Sequence, residues 1–264
     1  MNSMSADLRK KKAQSKSPER LSSVVENYLL SLYILKEEQT ATVLGQLASY
    51  IRRLPASEGL GTTLPSILGM LRRMSRDGLI RISSKKEIEF TEKGAQLAVG
   101  VARRHRLAER LVVDVLGVDL PRADEEAHQL EHGISPYLEE RINIVVSSPT
   151  TCPFGKPIPG SGYKKPAGKV IPMSEAKAGV NYRIVSLPDE DPKLLAFLCK
   201  YQILPGEEIK VLELGDYRDV ITFETPAGET AMGFATASRI YLNRIGARTA
   251  GANPGWPGTP PEVC

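Results

Sequence analysis

The apolar positions of this chain change period three times, and each change predicts a different kind of element. Val24, Tyr28, Leu29, Leu32 and Ile34 recur at roughly helical spacing, which predicts a helix from Ser22. A second helix is expected around "VLGQLASYIRRL". "PASEGLGTT" follows and reads as a loop, because Gly, Pro and Ser dominate it. "LPSILGMLRRMSRDGL" returns to helical spacing. Pro65 stands near its start, where a missing N–H costs nothing, and Gly78 closes it. In "IRISSKKEIEFTEKG" the alternation of Ile80 and Ile82, a polar turn, then Ile88 and Phe90 predicts a hairpin. Thr91 is placed to cap a long helix from about 92 to 116, with Glu92 in its first turn. Gly94 stands where a full capping box would need Glu or Gln. Helical character resumes over 121–146, with a break at Gly133 and Ser135.

Three helices followed by a two-stranded wing are the winged form of the helix-turn-helix. In that reading the third helix enters the major groove of duplex DNA and the wing reaches the backbone. The plainer reading is a three-helix packing unit with a hairpin and no DNA role.

Beyond residue 146, "SSPTTCPFGKPIPGSGYKKPAGK" is too rich in Pro and Gly for regular packing, and reads as a linker or an ordered irregular loop. After Met173, "YRIVSL", "EEIKVLEL", "DVITFET" and "ETAMGFA" are short strands separated by turns. "DPKLLAFLCKYQI" is a short helix among them, and a small SH3-like β-barrel is expected. The expected fold class is α+β: a winged helix-turn-helix, a helical dimerisation domain and an SH3-like barrel. The boundaries read as a basic disordered arm over 1–20, the winged helix over 21–95, and the helical domain over 96–150. A linker over 151–172, the barrel over 173–246 and a disordered tail over 247–264, containing Trp256, complete the chain.

Composition adds limits. The chain has 264 residues, 41% hydrophobic and 25% charged, which is ordinary for a globular protein. There is no apolar run of membrane-spanning length, and the basic N-terminus lacks a secretory core, so a cytoplasmic protein with no membrane role is expected. Cys152, Cys199 and Cys264 imply no disulfide framework. The net charge of +4 is mild, but the basic clusters Arg9–Lys12, Arg52–Arg53, Arg72–Arg73, Lys85–Lys86 and Arg103–Arg104 all precede residue 110. That distribution suits a polyanion partner, although solvated helix faces would give it too.

The candidate chemistry lies between positions 105 and 132, which hold all three histidines. In "HQLEH", His128 and His132 are four residues apart on a helix, with Glu131 beside them. His105 and Glu109 are likewise four apart, and Asp124, Glu125 and Glu126 add carboxylates. A lone histidine on a helix is ordinarily an exposed polar residue. Three of them, each with a carboxylate at helical spacing or adjacent, outline a site for a first-row divalent metal. His-x-x-Glu-His is also the pattern of inverted zinc peptidases, with the Glu as general base. Such sites need a further carboxylate and a large catalytic scaffold, whereas this motif lies on a short segment between two small units.

The combination "RRHRLAERLVVDVLGVDL…DEEAHQLEHGIS…LEERI…CPFGKPIPG" resembles the diphtheria toxin repressor family of iron- and manganese-dependent regulators, from about residue 22 to 246. The resemblance implies a homodimeric, metal-activated repressor of metal uptake genes that binds a palindromic DNA operator and is not an enzyme. It implies a primary metal site at Asn27, His128, Glu131 and His132. Family members often carry Met with Cys for iron, or Asp with Glu for manganese, at the first two positions. Asn and His stand there in this chain, and Asn27 offers only a neutral carbonyl oxygen. A second site would use His105, Glu109 and Asp124, with Cys152 of the "CP-G" loop and Glu190 or Asp191 from the barrel. Iron(II) is the first expectation, with manganese(II) or zinc(II) as alternatives. Thr63, Pro65 and Ser66 would face the groove, and Thr62, Arg72, Arg73, Arg76, Lys85 and Lys86 would meet phosphates. The loop before the third helix is about nine residues longer than in the family. Gly69 falls where relatives place a Gln that touches a base, so a bidentate reading of adenine is lost.

Overall fold

A computed structural model describes residues 21–38, 42–54 and 59–245. The expected basic arm and tail, and part of the long loop, lie outside these residues.

Helix α1 (Ser23–Glu38), α2 (Leu44–Ile51) and α3 (Leu64–Arg76) precede a hairpin of β1 (Ile80–Ile82) and β2 (Ile88–Phe90). The strands are antiparallel, with Ile80 opposite Phe90. Lys86 takes the left-handed conformation at the turn (φ 62°). The Thr63 hydroxyl accepts from the Ser66 N–H, and Pro65 occupies the first turn of α3. Tyr28, Leu29, Leu47, Ile51, Ile67, Leu71, Met74 and Leu79 are all buried in one core. This is the expected winged helix.

Helix α4 (Glu92–Arg110) is capped as expected, with the Thr91 hydroxyl accepting from Gly94 N–H at 3.0 Å. A Cβ at Gly94 would lie 1.8 Å from the Leu79 carbonyl oxygen. The same carbonyl accepts from Thr91 N–H at 3.0 Å, so the wing and α4 meet too closely for a side chain. That contact is the reason for glycine where a capping box would place Glu or Gln. The helix ends in a π-helical turn, Leu111–Val115. Helices α5 (Leu120–Glu131) and α6 (Pro136–Val145) follow, and Ser135 caps α6.

The Pro- and Gly-rich stretch proves to be ordered packing over its first part. Cys152, Phe154 and Ile158 are buried, and arginines of α4 hold the backbone: Arg110 Nε donates to Thr151 O at 2.7 Å and Arg103 Nη1 to Pro159 O at 2.7 Å. A Cβ at Gly155 (φ 82°) would sit 2.0 Å from Val185 O, so this loop lies directly on the strand behind it. A linker would need exposed backbone, and these residues expose little.

The C-terminal unit is an antiparallel six-stranded sheet in the order β3 (Val170–Pro172), β8 (Tyr241–Arg244), β4 (Asn181–Ser186), β5 (Glu208–Gly215), β6 (Val220–Thr225), β7 (Gly228–Gly233). Register shifts at Ile184/Ser186 and Val211/Glu213 bend its strands, as small SH3-like folds require. Helices α7 (Pro192–Lys200) and α8 (Phe234–Ala237) complete it. The sheet begins inside the stretch expected as linker, because β3 pairs with β8. Its core is continuous with Val112, Val113, Leu120 and Ala123 of the helical region, so barrel and helices share one apolar interior. Cys152 is a free buried thiol. Among the described residues no helix is long and apolar enough to cross a membrane.

Candidate metal centre

The histidines converge because α4 and α5 pack against each other with His105 turned inward, 2% exposed. Its Nδ1 lies 2.8 Å from Glu131 Oε2, and its Nε2 lies 3.1 Å from Glu109 Oε1 and 3.3 Å from Asp124 Oδ1. His128 Nδ1 is 3.3 Å from the other Glu131 oxygen, and the His105 and His128 rings are 4.7 Å apart. His132 Nδ1 is 2.7 Å from Glu26 Oε2, and its Nε2 is 3.7 Å from Glu131 Oε1. Glu131, fully buried, is thus the hub that all three imidazoles face.

The electrostatics follow from that crowding. Burial works against the charged form of His105, but the carboxylates of Glu109 and Glu131, with Asp124, hold its pKa well above the ordinary value. Burial likewise opposes charge on His128, and the Glu131 carboxylate overcomes it, raising the pKa to about 9. Burial alone would raise the Glu131 pKa; the two imidazoles draw it down to about 2. Without a metal, protons on the imidazoles therefore compensate the buried carboxylates.

A divalent cation fits this donor set. His105 Nε2 and both Glu109 carboxylate oxygens are buried atoms with no hydrogen bond of ordinary geometry. Donor atoms of His105, Asp124 and His128 lie within 4.8 Å of one another, as do those of Glu109, Asp124 and Asp189. Ligands about 2.0–2.3 Å from one ion span at most about 4.6 Å, so slight contraction closes either set. Imidazole with carboxylate suits first-row divalent ions.

Two candidate residues are placed differently from expectation. Asp191 caps α7, its Oδ1 accepting from Leu194 N–H at 3.0 Å, because Pro192 opens that helix and leaves its N–H groups in need of an acceptor. Glu190 pairs with Arg239 and lies 3.8 Å from Arg53 Nη2. The barrel carboxylate that reaches the cluster is Asp189, also held by Lys156 Nζ at 2.7 Å. Burial would raise its pKa, but Lys156 brings it down to about 2, so it stays anionic. On α1, Asn27 is buried, and its neighbour Glu26 lies on an imidazole, with Oε2 2.7 Å from His132 Nδ1. Neither Glu26 nor Asp189 stood out in the sequence, since each is one acid among many and the spacing to its partner is 106 residues in one case. Burial, then the charge of Glu109, pushes the Cys152 thiol well up, so coordination there would require displacing its proton.

The residues expected on DNA form an exposed set. Thr62, Thr63, Pro65, Ser66, Gly69, Arg72, Arg73 and Arg76 lie on exposed positions of α3 or just before it, and Lys85 and Lys86 lie at the wing tip. Thr63 also spends its hydroxyl on the helix cap, and Arg73 Nε is 3.7 Å from Asp77. In the helical region, Leu130, Leu138, Ile144, Val145 and Tyr137 are exposed, and an apolar groove of about 430 Å³ runs between α5 and α6.

A winged helix is joined to a helical unit with a buried imidazole–carboxylate cluster, and then to an SH3-like sheet. Residues 91–160 match the model of the iron dependent repressor metal binding and dimerisation domain, and residues 171–244 match the FeoA domain. The iron-dependent repressor IdeR of Mycobacterium leprae is 39% identical over 172 residues, covering 65% of this chain and 69% of that protein. IdeR of Mycobacterium tuberculosis H37Rv is 41% identical over 140 residues, 53% of this chain, and the matched stretch spans only 57% of that relative's length. The diphtheria toxin repressor of Corynebacterium diphtheriae is 36% identical over 140 residues, 53% of this chain and 58% of that protein. In fold, a manganese-dependent transcriptional repressor solved with manganese superposes with a TM-score of 0.73 at 23% identity, covering 83% of this chain and 99% of that one. The chain belongs to the iron-dependent repressor family.

Proposed function

We propose that this chain is a divalent-metal-activated, DNA-binding transcriptional repressor that acts as a homodimer and governs metal uptake genes. The observation that carries the proposal is that Glu131, the last residue of α5, and His132, just after it, meet the α4 histidine and α1 of the winged helix respectively. Loading this cluster acts where the reading head joins the dimer core.

His128, Glu131 and His132, with Asn27 alongside, would hold one ion. His105, Glu109, Asp124 and Asp189, with Cys152 nearby, would hold a second. The bound cation supplies positive charge where five carboxylates (Glu26, Glu109, Asp124, Glu131, Asp189) gather. Relatives' names cite iron and manganese, and related structures carry manganese, zinc and cadmium. For this chain iron(II) is proposed first, because three imidazoles with carboxylates suit it better than the harder manganese(II). The exposed α5–α6 apolar face is the proposed seat of the second copy, and the α3 and wing residues named above the proposed contacts to a palindromic operator. Shifting the DNA-competent population from about 1:99 to 99:1 needs about ten-thousand-fold tighter metal binding by that state.

The peptidase reading of His-x-x-Glu-His is weakened by burial: both Glu131 oxygens already face imidazoles, which leaves its carboxylate no position from which to deprotonate a water. The test is selection of bound DNA from a random duplex pool, then gel shift with iron(II), manganese(II), zinc(II) or chelator. Retardation in the metal lanes alone is expected. Equal retardation in every lane would overturn metal activation.

A further inference from the structure

Glu26 is not among the positions at which the family resemblance places metal ligands, yet its carboxylate lies directly against an imidazole. Its two oxygens face opposite ways. Oε2 lies 2.7 Å from His132 Nδ1, and Oε1 accepts from Arg104 Nη2 at 2.8 Å. The side chain is largely buried, and Arg104 is 20% exposed, so the clamp sits mostly out of water. The other nitrogen of His132 points the opposite way, 3.7 Å from Glu131 Oε1 and hence toward the donor cluster.

We propose that Glu26 is the positioning residue for His132: Arg104 clamps it on α4, and it holds the Nδ1–H so that Nε2 is the metal-binding atom. This rests on the metal-dependent reading above. A ligating histidine commonly gives its far N–H to a carboxylate, which fixes the tautomer and makes the ligating nitrogen more basic. The Nδ1–H donates to a carboxylate on α1, the first helix of the reading head, so the ring that offers Nε2 to a cation is tied to that helix.

The test uses the full chain loaded with zinc(II), whose diamagnetism permits nitrogen NMR of the imidazoles. Wild type is expected to show His132 with a protonated, exchange-protected Nδ1 and a metal-shifted Nε2, assigned with His132→Gln. Glu26→Gln keeps the shape and removes the charge. Its zinc affinity is expected to fall roughly 10- to 100-fold, with Glu26→Asp recovering part of the loss. The Nδ1 proton should exchange faster in Glu26→Gln while metal-free circular dichroism stays the same. Arg104→Gln, which leaves Glu26 in place but unclamped, should move both readouts in the same direction by less, and keeps the test usable should Glu26→Gln fail to fold. Zinc bound through Nδ1, or through Glu26 itself, would overturn the assignment. So would unchanged affinity and exchange in both variants while wild type binds zinc. If wild type binds no divalent ion, the metal reading fails, and this inference with it.

Discussion

Gly94 and Glu131 illustrate two ways in which one side chain decides local structure here. Gly94 is fixed by space, since a methyl group there would overlap the Leu79 carbonyl. Gly94→Ala is expected to destabilise the winged helix by about 1–3 kcal/mol, read as a lower urea midpoint, because backbone rather than a flexible side chain must move. Glu131 is fixed by charge. With metal removed by chelator, His128 has a pKa raised from 6.5 to about 9 through its Glu131 partner. The sign follows from linkage: the stabilisation is full below about pH 6.5 and is lost as pH rises through about 9. The urea midpoint of the chelated protein should therefore fall between pH 6.5 and 9.5, and His128→Gln should flatten that dependence. A wild-type midpoint that rises over this range would contradict the pairing.

At the scale of elements, α4 is the shaft on which the other parts are mounted. Its Arg106 is almost fully buried, bidentate to Glu37 of α1 and bonded to Pro157 O, with its guanidinium over the Tyr33 ring. Arg106→Met keeps the apolar stem but leaves the Pro157 carbonyl and Glu37 without their donor. A loss of about 1–3 kcal/mol is expected by chemical unfolding, at the low end since Glu37 is one-third exposed. The helix periods, the Thr91 cap and the break at Gly133 were legible because they are local, as was the His–Glu spacing on each helix. The end of the barrel sheet was not. β3 is three residues long and gains its meaning only from pairing with β8, about seventy positions later.

For the whole molecule, the apolar face of α5 and α6 and the metal cluster lie in the same helical unit, so assembly and loading should reinforce each other. Leu138→Glu with Val145→Glu adds charge to exposed positions beside the groove and should leave the fold intact while shifting the chain to monomer in sedimentation. Operator affinity should fall with it, because each half-site then binds alone. Metal at about 100 times its Kd should stabilise the native state by about 2.7 kcal/mol, raising the midpoint of thermal unfolding by roughly 5–10 °C. A melting curve indifferent to iron(II), manganese(II) and zinc(II) would argue against a site formed only in the folded chain.

The sequence by itself determined the order of elements, the winged-helix pattern and the imidazole–carboxylate pairs, because helical and strand periods and i, i+4 spacing are set by neighbouring residues. Tertiary structure decided which carboxylates share the cluster. Glu26 from α1 and Asp189 from the barrel arrive across long stretches of chain, and Asp191 is diverted to a helix cap by the proline that follows it. Distance along the chain carries no information about such meetings; only the packing of α1, α4, α5 and the barrel brings Glu26 and Asp189 to the histidine cluster.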